Sequence, residues 1–155
     1  MVIAVDFDGT CVTHEFPEIG KEIGAVPVLR FLVNQGHQII LNTMRSPRDG
    51  HRDVLREAIH WFQKHKIILH GVNENPSQKS WTKSPKVYAH LYIDDAALGI
   101  PLVTDRHKRP FVDWTKVVEL LYERGIITIV EMHHLQAMIQ KHDETMVEKC
   151  FHKDD

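Results

Sequence analysis

Two aspartates two residues apart, Asp6 and Asp8, stand directly behind the apolar run Val2-Ile3-Ala4-Val5 and just ahead of Gly9-Thr10. Side chains alternate along an extended chain, so the two carboxylates share a face if the strand runs on through them. Such a pair can hold a hard divalent cation and divide two tasks, nucleophile and proton donor. An Asp-Gly turn at a strand end would account for this pair alone. A second acidic pair, Asp94-Asp95, closes another apolar run, Leu91-Tyr92-Ile93, and makes the chemical reading the stronger one. Gly9 allows a sharp turn beside the carboxylates.

The elements that must position these groups follow from the apolar pattern. Four apolar residues in succession indicate a strand buried on both faces, and ligands of open α/β sheets bind just beyond the carboxyl ends of such strands. Cys11 to Glu22, with Pro17 and Gly20, reads as a flap or short hairpin. Ala25, Val28, Leu29 and Leu32 fall at helical spacing, with Gly36 as the helix stop. Ile39-Ile40-Leu41 is a second strand, ending at Asn42-Thr43. Ser46-Pro47 is expected to open a helix striped by Val54, Leu55, Ala58, Ile59 and Phe62. Ile67-Ile68-Leu69 is expected as a third strand, Asn73 to Pro85 as loop, and Leu91-Tyr92-Ile93 as a fourth strand. Trp114, Val117, Val118 and Leu121 form a further amphipathic helix, with Gly125 beyond it. Ile126 to Val130 fits either a fifth strand or the start of a long helix carrying Leu135, Met138, Ile139, His142 and Met146. That stripe serves as a packing or dimer surface. Strands alternating with helices predict a parallel sheet with helices on both faces.

Bulk properties narrow the class. A chain of 155 residues suits a single domain over 1–155, with a core of about 1–125 and a helical extension over about 126–155. A formal charge of −2 gives no global drive toward nucleic acid or anionic membrane. No apolar run reaches the length of a bilayer span, and the early first strand leaves no room for a targeting segment. Two cysteines, Cys11 and Cys150, offer no disulfide framework, so the cytoplasm is the expected compartment. Cys11 has no histidine fixed by spacing to activate it. The twelve histidines form no zinc pattern, and only His14 and His51 sit where they could approach the strand ends.

Asp6 to Thr10, Thr43, an upstream lysine and Asp94-Asp95 occur in an order that resembles the haloacid dehalogenase superfamily of phosphohydrolases. The matches are Asp-Phe-Asp-Gly-Thr at 6–10, Thr43 ending an apolar strand, and the acidic pair ending another. Lys79, Lys83 and Lys86 compete for the lysine, and Lys86, eight residues before Asp94, lies nearest that strand. The resemblance covers about residues 1–125 and implies a Rossmann-like three-layer sandwich around a central parallel sheet. It also implies a Mg²⁺-dependent phosphomonoester hydrolase. Asp6 would attack phosphorus and form an aspartyl-phosphate, and Asp8 would serve as general acid and base. Thr43 and Lys86 would contact the phosphoryl oxygens. The cation would be held by Asp6, the Asp8 carbonyl and Asp95, with Asp94 acting through water or orienting Lys86. An acid/base residue at position 8 implies prompt hydrolysis of the intermediate and disfavours dehalogenation.

The stretches between Thr10, Thr43 and Lys86 leave no room for a cap domain, which implies an open site. Arg45, Arg48, His51 and Arg52 follow Thr43, and arginine suits phosphate by its forked geometry, so Arg45 is expected to bind substrate. Arg106-His107-Lys108-Arg109 reads as a solvated loop. The partner is thus a phosphorylated substrate of unspecified size, a nucleotide or polynucleotide end among the alternatives, though neither basic run carries the aromatic interleaving of single-strand binders. A non-catalytic HAD-fold binding module is the competing class; retention of both Asp6 and Asp8 favours the enzyme.

Overall fold

The computed structural model describes residues 1–47 and 52–151, the last six of these as backbone only. Four parallel strands, β1 (Val2–Val5), β2 (Gln38–Leu41), β3 (Leu69–Val72) and β4 (Leu91–Ile93), form the central sheet in the order β3-β2-β1-β4. Helices α1 (Ala25–Asn34), α2 (Val54–Lys64), α3 (Trp114–Glu123) and α4 (Ile129–Phe151) flank it, and a separate antiparallel hairpin pairs β5 (Leu102–Asp105) with β6 (Lys108–Val112). The order places β1, which carries the aspartates, between β2 and β4. The ladder runs on past the strand ends: Asp6 N–H donates to Ile93 O, Asn42 N–H to Val5 O and Asn73 N–H to Leu41 O, at 2.7–3.0 Å. The ends of β1, β2 and β4 are thereby held level.

Register sorts the side chains by face. Ile3, Val5, Ile39, Leu41 and Ile93 enter one apolar cluster, which also takes the buried residues Leu29, Phe62, Trp114 and Leu135 from the four helices. Val2 and Ile40 point the other way and meet Val87. A second helical layer was expected there; the segment 73–90, with one 3₁₀ turn at Pro76–Gln78, covers that face instead. Gln78 holds this segment, its amide donating to Ser84 O and Lys86 O and accepting from Tyr88 N–H.

Two expected boundaries move. The second helix opens at Val54, not at Ser46-Pro47, because the Asp53 carboxylate accepts from Arg56 N–H and caps the helix there. The third strand covers Leu69–Val72, not 67–69. Ile67 instead closes the stop of α2: Lys66 takes a left-handed φ of 58°, Lys66 N–H donates to Gln63 O and Ile67 N–H to Phe62 O. Ile67 is buried there while Ile68 is 76% exposed. Of the two alternatives for 126–130, the helix is the one formed. Thr128 and Glu131 exchange hydrogen bonds, Thr128 N–H to Glu131 Oε2 at 2.7 Å and Glu131 N–H to Thr128 Oγ1 at 3.2 Å, which is a capping box opening α4. Leu135 and Ile139 of α4 bury into the chain's own core, so the expected stripe is packing surface at those positions.

Candidate active site

Three elements converge on a crevice of about 430 Å³ at the carboxyl ends of β1, β2 and β4. Asp6, Asp8, Thr43, Arg45, Asp94 and Asp95, all expected from the sequence, line it together with His14, Phe16, Met44 and Arg109. Carboxylate oxygens of Asp6, Asp94 and Asp95 lie within 4.8 Å of one another. Three oxygen donors gathered on an open crevice suit a hard divalent cation that keeps part of its water shell. Burial pushes the Asp6 carboxyl up to about 7; the charges of Asp94 and Asp95 add to this, and hydrogen bonds from the Phe7 backbone and the Thr10 hydroxyl oppose it. A cation would relieve this cost by favouring the ionised form.

The loop that follows β1 is a tight turn. Thr10 N–H, Cys11 N–H and Val12 N–H all donate to Phe7 O, and Gly9, at φ 81°, donates to Val12 O. Phe7 packs between Trp61 and Phe62 in the core. A side chain on Gly9 would collide with His14 Nε2 and crowd Asp95 Oδ2 at 2.8 Å, so only glycine fits where these two groups close over the turn. His14 Nε2 sits 3.0 Å from Asp95 Oδ2. The Thr10 hydroxyl, fully buried, donates to Asp6 Oδ2 and accepts from Asp95 N–H, both at 3.0 Å. Thr10 thus couples the two strand ends that carry the acids. Trp114 Nε1 donates to Thr10 O at 2.7 Å and Val112 N–H to Gly9 O at 2.9 Å, which fasten α3 and β6 to the same turn.

Asp6 and Asp8 do not share a task of cation holding through their side chains. Both carboxylates reach the same crevice, but that of Asp8 is taken up by Arg45. Arg45 is 3% exposed and its guanidinium donates to Asp8 Oδ2 and Oδ1 at 2.7 and 2.8 Å, to Glu18 O at 2.8 Å, to Val54 O at 3.2 Å and to Pro17 O at 3.3 Å. These use all five N–H donors of the group. Phe7 and Phe16 lie near its faces, with ring centroids 5.1 and 5.2 Å away. Arg45 therefore has no donor left for a phosphate, and the expectation of substrate binding is corrected: its role is to tie Asp8, the flap and the start of α2 together. The flap is closed at its base, Val12 pairing with Glu22, and presents Phe16 at the rim.

Thr43 takes its expected place, its N–H donating to Asn73 Oδ1 at 2.7 Å and its hydroxyl accepting from Arg45 N–H. Lys86 does not. Segment 73–90 covers the far face of the sheet, and Lys86 Nζ lies 5.7 Å over the Tyr92 ring. Lys79 pairs with Glu74 at 2.9 Å, and none of the three lysines lines the crevice. Arg52 pairs with Glu18 and Glu57 at the surface. Arg48 and His51 lie outside the described residues. Burial, with the charges of Asp6, Glu22 and Asp8, pushes the Cys11 thiol well above its ordinary range, so it is no nucleophile. Two charged or titratable lining residues, His14 and Arg109, have no role assigned from the sequence. His14 was noted only for its nearness, and Arg109 was read as part of a solvated loop that is in fact the β5–β6 hairpin.

No protein-family model matches the chain, and no curated protein matches it. A solved structure of a conserved protein from Bacteroides thetaiotaomicron is similar to it at 31% identity and a TM-score of 0.60, over 84% of this chain and 94% of that one. The chain belongs to that protein's family. Nearly the whole of the relative is matched. Among the described residues, no helix is long and apolar enough to cross a membrane.

Proposed function

We propose that this chain is a Mg²⁺-dependent phosphomonoester hydrolase of the haloacid dehalogenase type with a Rossmann-like core. The observation that carries the reading is the cluster of Asp6, Asp94 and Asp95 at the ends of adjacent parallel strands, with Thr43 on the same crevice. Asp6 is the nucleophile: one of its oxygens forms a bond to phosphorus as the bond to the leaving oxygen breaks, giving an aspartyl-phosphate that water then cleaves. Asp6, Asp94 and Asp95 would hold Mg²⁺, together with the Asp8 carbonyl that the resemblance implies. When bound, the cation supplies the positive charge that offsets repulsion between a carboxylate and a phosphate dianion. Thr10 orients the Asp6 carboxylate through its hydrogen bond, and Thr43 offers a hydroxyl to a phosphoryl oxygen.

Asp8 is the acid and base, with one constraint. Both its oxygens accept from Arg45, which fixes the carboxylate at the crevice and occupies one lone pair of each. Each oxygen keeps a second lone pair, which leaves it able to take a proton from water. The acid role returns a proton held on such a lone pair to the leaving oxygen. The same fork favours a second reading, a cation- and phosphate-binding module without turnover. The open crevice, its Met44 rim almost fully exposed, accommodates substrates larger than its own volume, polynucleotide ends included. A cytoplasmic setting accords with the buried free thiol of Cys11.

The deciding experiment is a phosphatase screen over aryl, sugar, nucleotide and oligonucleotide-end phosphates with Mg²⁺ or EDTA. Turnover that EDTA abolishes, Mg²⁺ restores and Asp6→Asn removes is expected. Undiminished turnover in chelator, or by Asp6→Asn, rules the reading out, and binding of phosphate without turnover selects the module.

A further inference from the structure

We infer that Arg109, carried on the β5–β6 hairpin, is the cation that grips the phosphoryl oxygens of the substrate, in the role expected of Lys86. The inference rests on the phosphatase reading. Asp6, Asp8, Asp94 and Asp95 give the crevice four carboxylates, and a phosphate dianion entering it needs positive charge beyond a single cation. Arg45 spends all its donors on Asp8 and three carbonyls, and His14 is engaged by Asp95. Among the described residues that line the crevice, Arg109 is the cation with neither a carboxylate nor a carbonyl partner, and it is exposed.

The hairpin is built to hold it there. Leu102 pairs with Val112, Val103 with Phe111, and then Asp105 with Lys108, so Arg109 and Pro110 together stand opposite Thr104. That extra residue is a bulge, a device that re-aims a side chain out of the regular alternation. Pro110 fixes the backbone immediately after Arg109. Asp113 N–H donating to Pro101 O closes the base of the hairpin, and Val112 N–H donating to Gly9 O sets its register against the aspartate turn, both at 2.9 Å. Arg109 is thus only three positions from a bond to the loop bearing Asp6 and Asp8. Its forked guanidinium suits the paired oxygens of a phosphoryl group better than an ammonium does.

The test uses the full chain with Mg²⁺, an aryl phosphate as substrate and inorganic phosphate as competing ligand. Arg109→Ala is expected to lower kcat/KM by at least about 10-fold and weaken inhibition by phosphate in step, with Arg109→Lys recovering only part. Lys86→Ala is expected to stay within about twofold of the parent. The urea midpoint and the Mg²⁺-induced rise in Tm should be unchanged in Arg109→Ala, which separates lost contact from lost fold. If Arg109→Ala keeps both turnover and phosphate inhibition, the inference is overturned while the phosphatase reading stands. If the parent turns over no phosphomonoester, yet phosphate raises its Tm and not that of Arg109→Ala, the phosphatase reading fails and the Arg109 site stands. Neither turnover nor phosphate binding in the parent overturns both.

Discussion

Arg45 forks onto both carboxylate oxygens of Asp8, at 2.7 and 2.8 Å, from a position almost fully closed to solvent. Its remaining donors reach the carbonyls of Pro17, Glu18 and Val54, so one guanidinium joins the aspartate turn, the flap and the first turn of α2. Removing one partner of a buried ion pair leaves the other uncompensated, a loss of roughly 3–5 kcal/mol. Arg45→Ala should therefore lower the urea unfolding free energy by about that amount, and Arg45→Lys by a large part of it, because an ammonium cannot span the two oxygens. A midpoint for Arg45→Ala close to the parent's would mean that the pair contributes little and that Arg45 is free for substrate after all.

Gly9 should tolerate no side chain. Its φ of 81° is left-handed, and a methyl group would press on His14 Nε2 and Asp95 Oδ2. Left-handed strain alone costs on the order of 1–3 kcal/mol, and displacing His14 would disturb Asp95 as well. Gly9→Ala is expected to lose stability in urea and to need more Mg²⁺ for half-maximal activity. A variant with parental values in both measurements would show that the turn can relax without touching the acids.

Much of this arrangement is legible in the chain, and the gaps have identifiable causes. The strands at 2–5, 39–41 and 91–93 declare themselves as apolar runs, and Gly36 and Gly125 mark the left-handed stops of α1 and α3, at φ 85° and 68°. The stop of α2 uses Lys66 in the same conformation, which no residue type announces, so Ile67 reads as the start of a strand when it is the apolar lock of a helix end. Thr128-x-x-Glu131 is a capping box in plain sight and would have decided for α4 over a fifth strand. Asp6 and Asp8 reach one crevice as alternation predicts, but the pairing of Asp8 with Arg45 joins distant positions, which strand periodicity cannot foresee. Lys86 is the nearest of the three lysines to Asp94 along the chain, whereas its segment crosses the far face of the sheet, and Arg109 reaches the crevice through a hairpin whose pattern is too polar to read as strand.

The Asp6 carboxyl gives stability a pH dependence of known sign. Its folded value, raised by burial to about 7, lies above its ordinary 3.8, so the metal-free folded state binds the proton more tightly than the unfolded chain. Below 3.8 both states are protonated and the contribution is fully present; it is lost as pH rises from there through about 7. In EDTA, the parent should lose stability relative to Asp6→Asn between those limits. Mg²⁺ favours the ionised carboxylate, so the Tm gain from Mg²⁺ should be larger above neutrality than in mild acid. Parallel urea midpoints for the parent and Asp6→Asn across the range would contradict the burial argument.

Asp8 separates acid from base. As acid it assists departure of the leaving oxygen, and as base it activates the water that cleaves the aspartyl-phosphate. Only poor leaving groups need the proton, so Asp8→Asn should lose more activity on an alkyl phosphate than on an aryl phosphate. Asparagine keeps the shape and one oxygen for Arg45 but turns a donor toward its second N–H, so the comparison is made where the urea midpoint shows the variant folded. Phosphorylated Asp6 should accumulate in Asp8→Asn on the aryl substrate, where the first step is fast and the second has lost its base. Equal losses on both substrates with no trapped phosphoprotein would take Asp8 out of proton transfer and leave it as the anchor of Arg45, the outcome that a binding module requires.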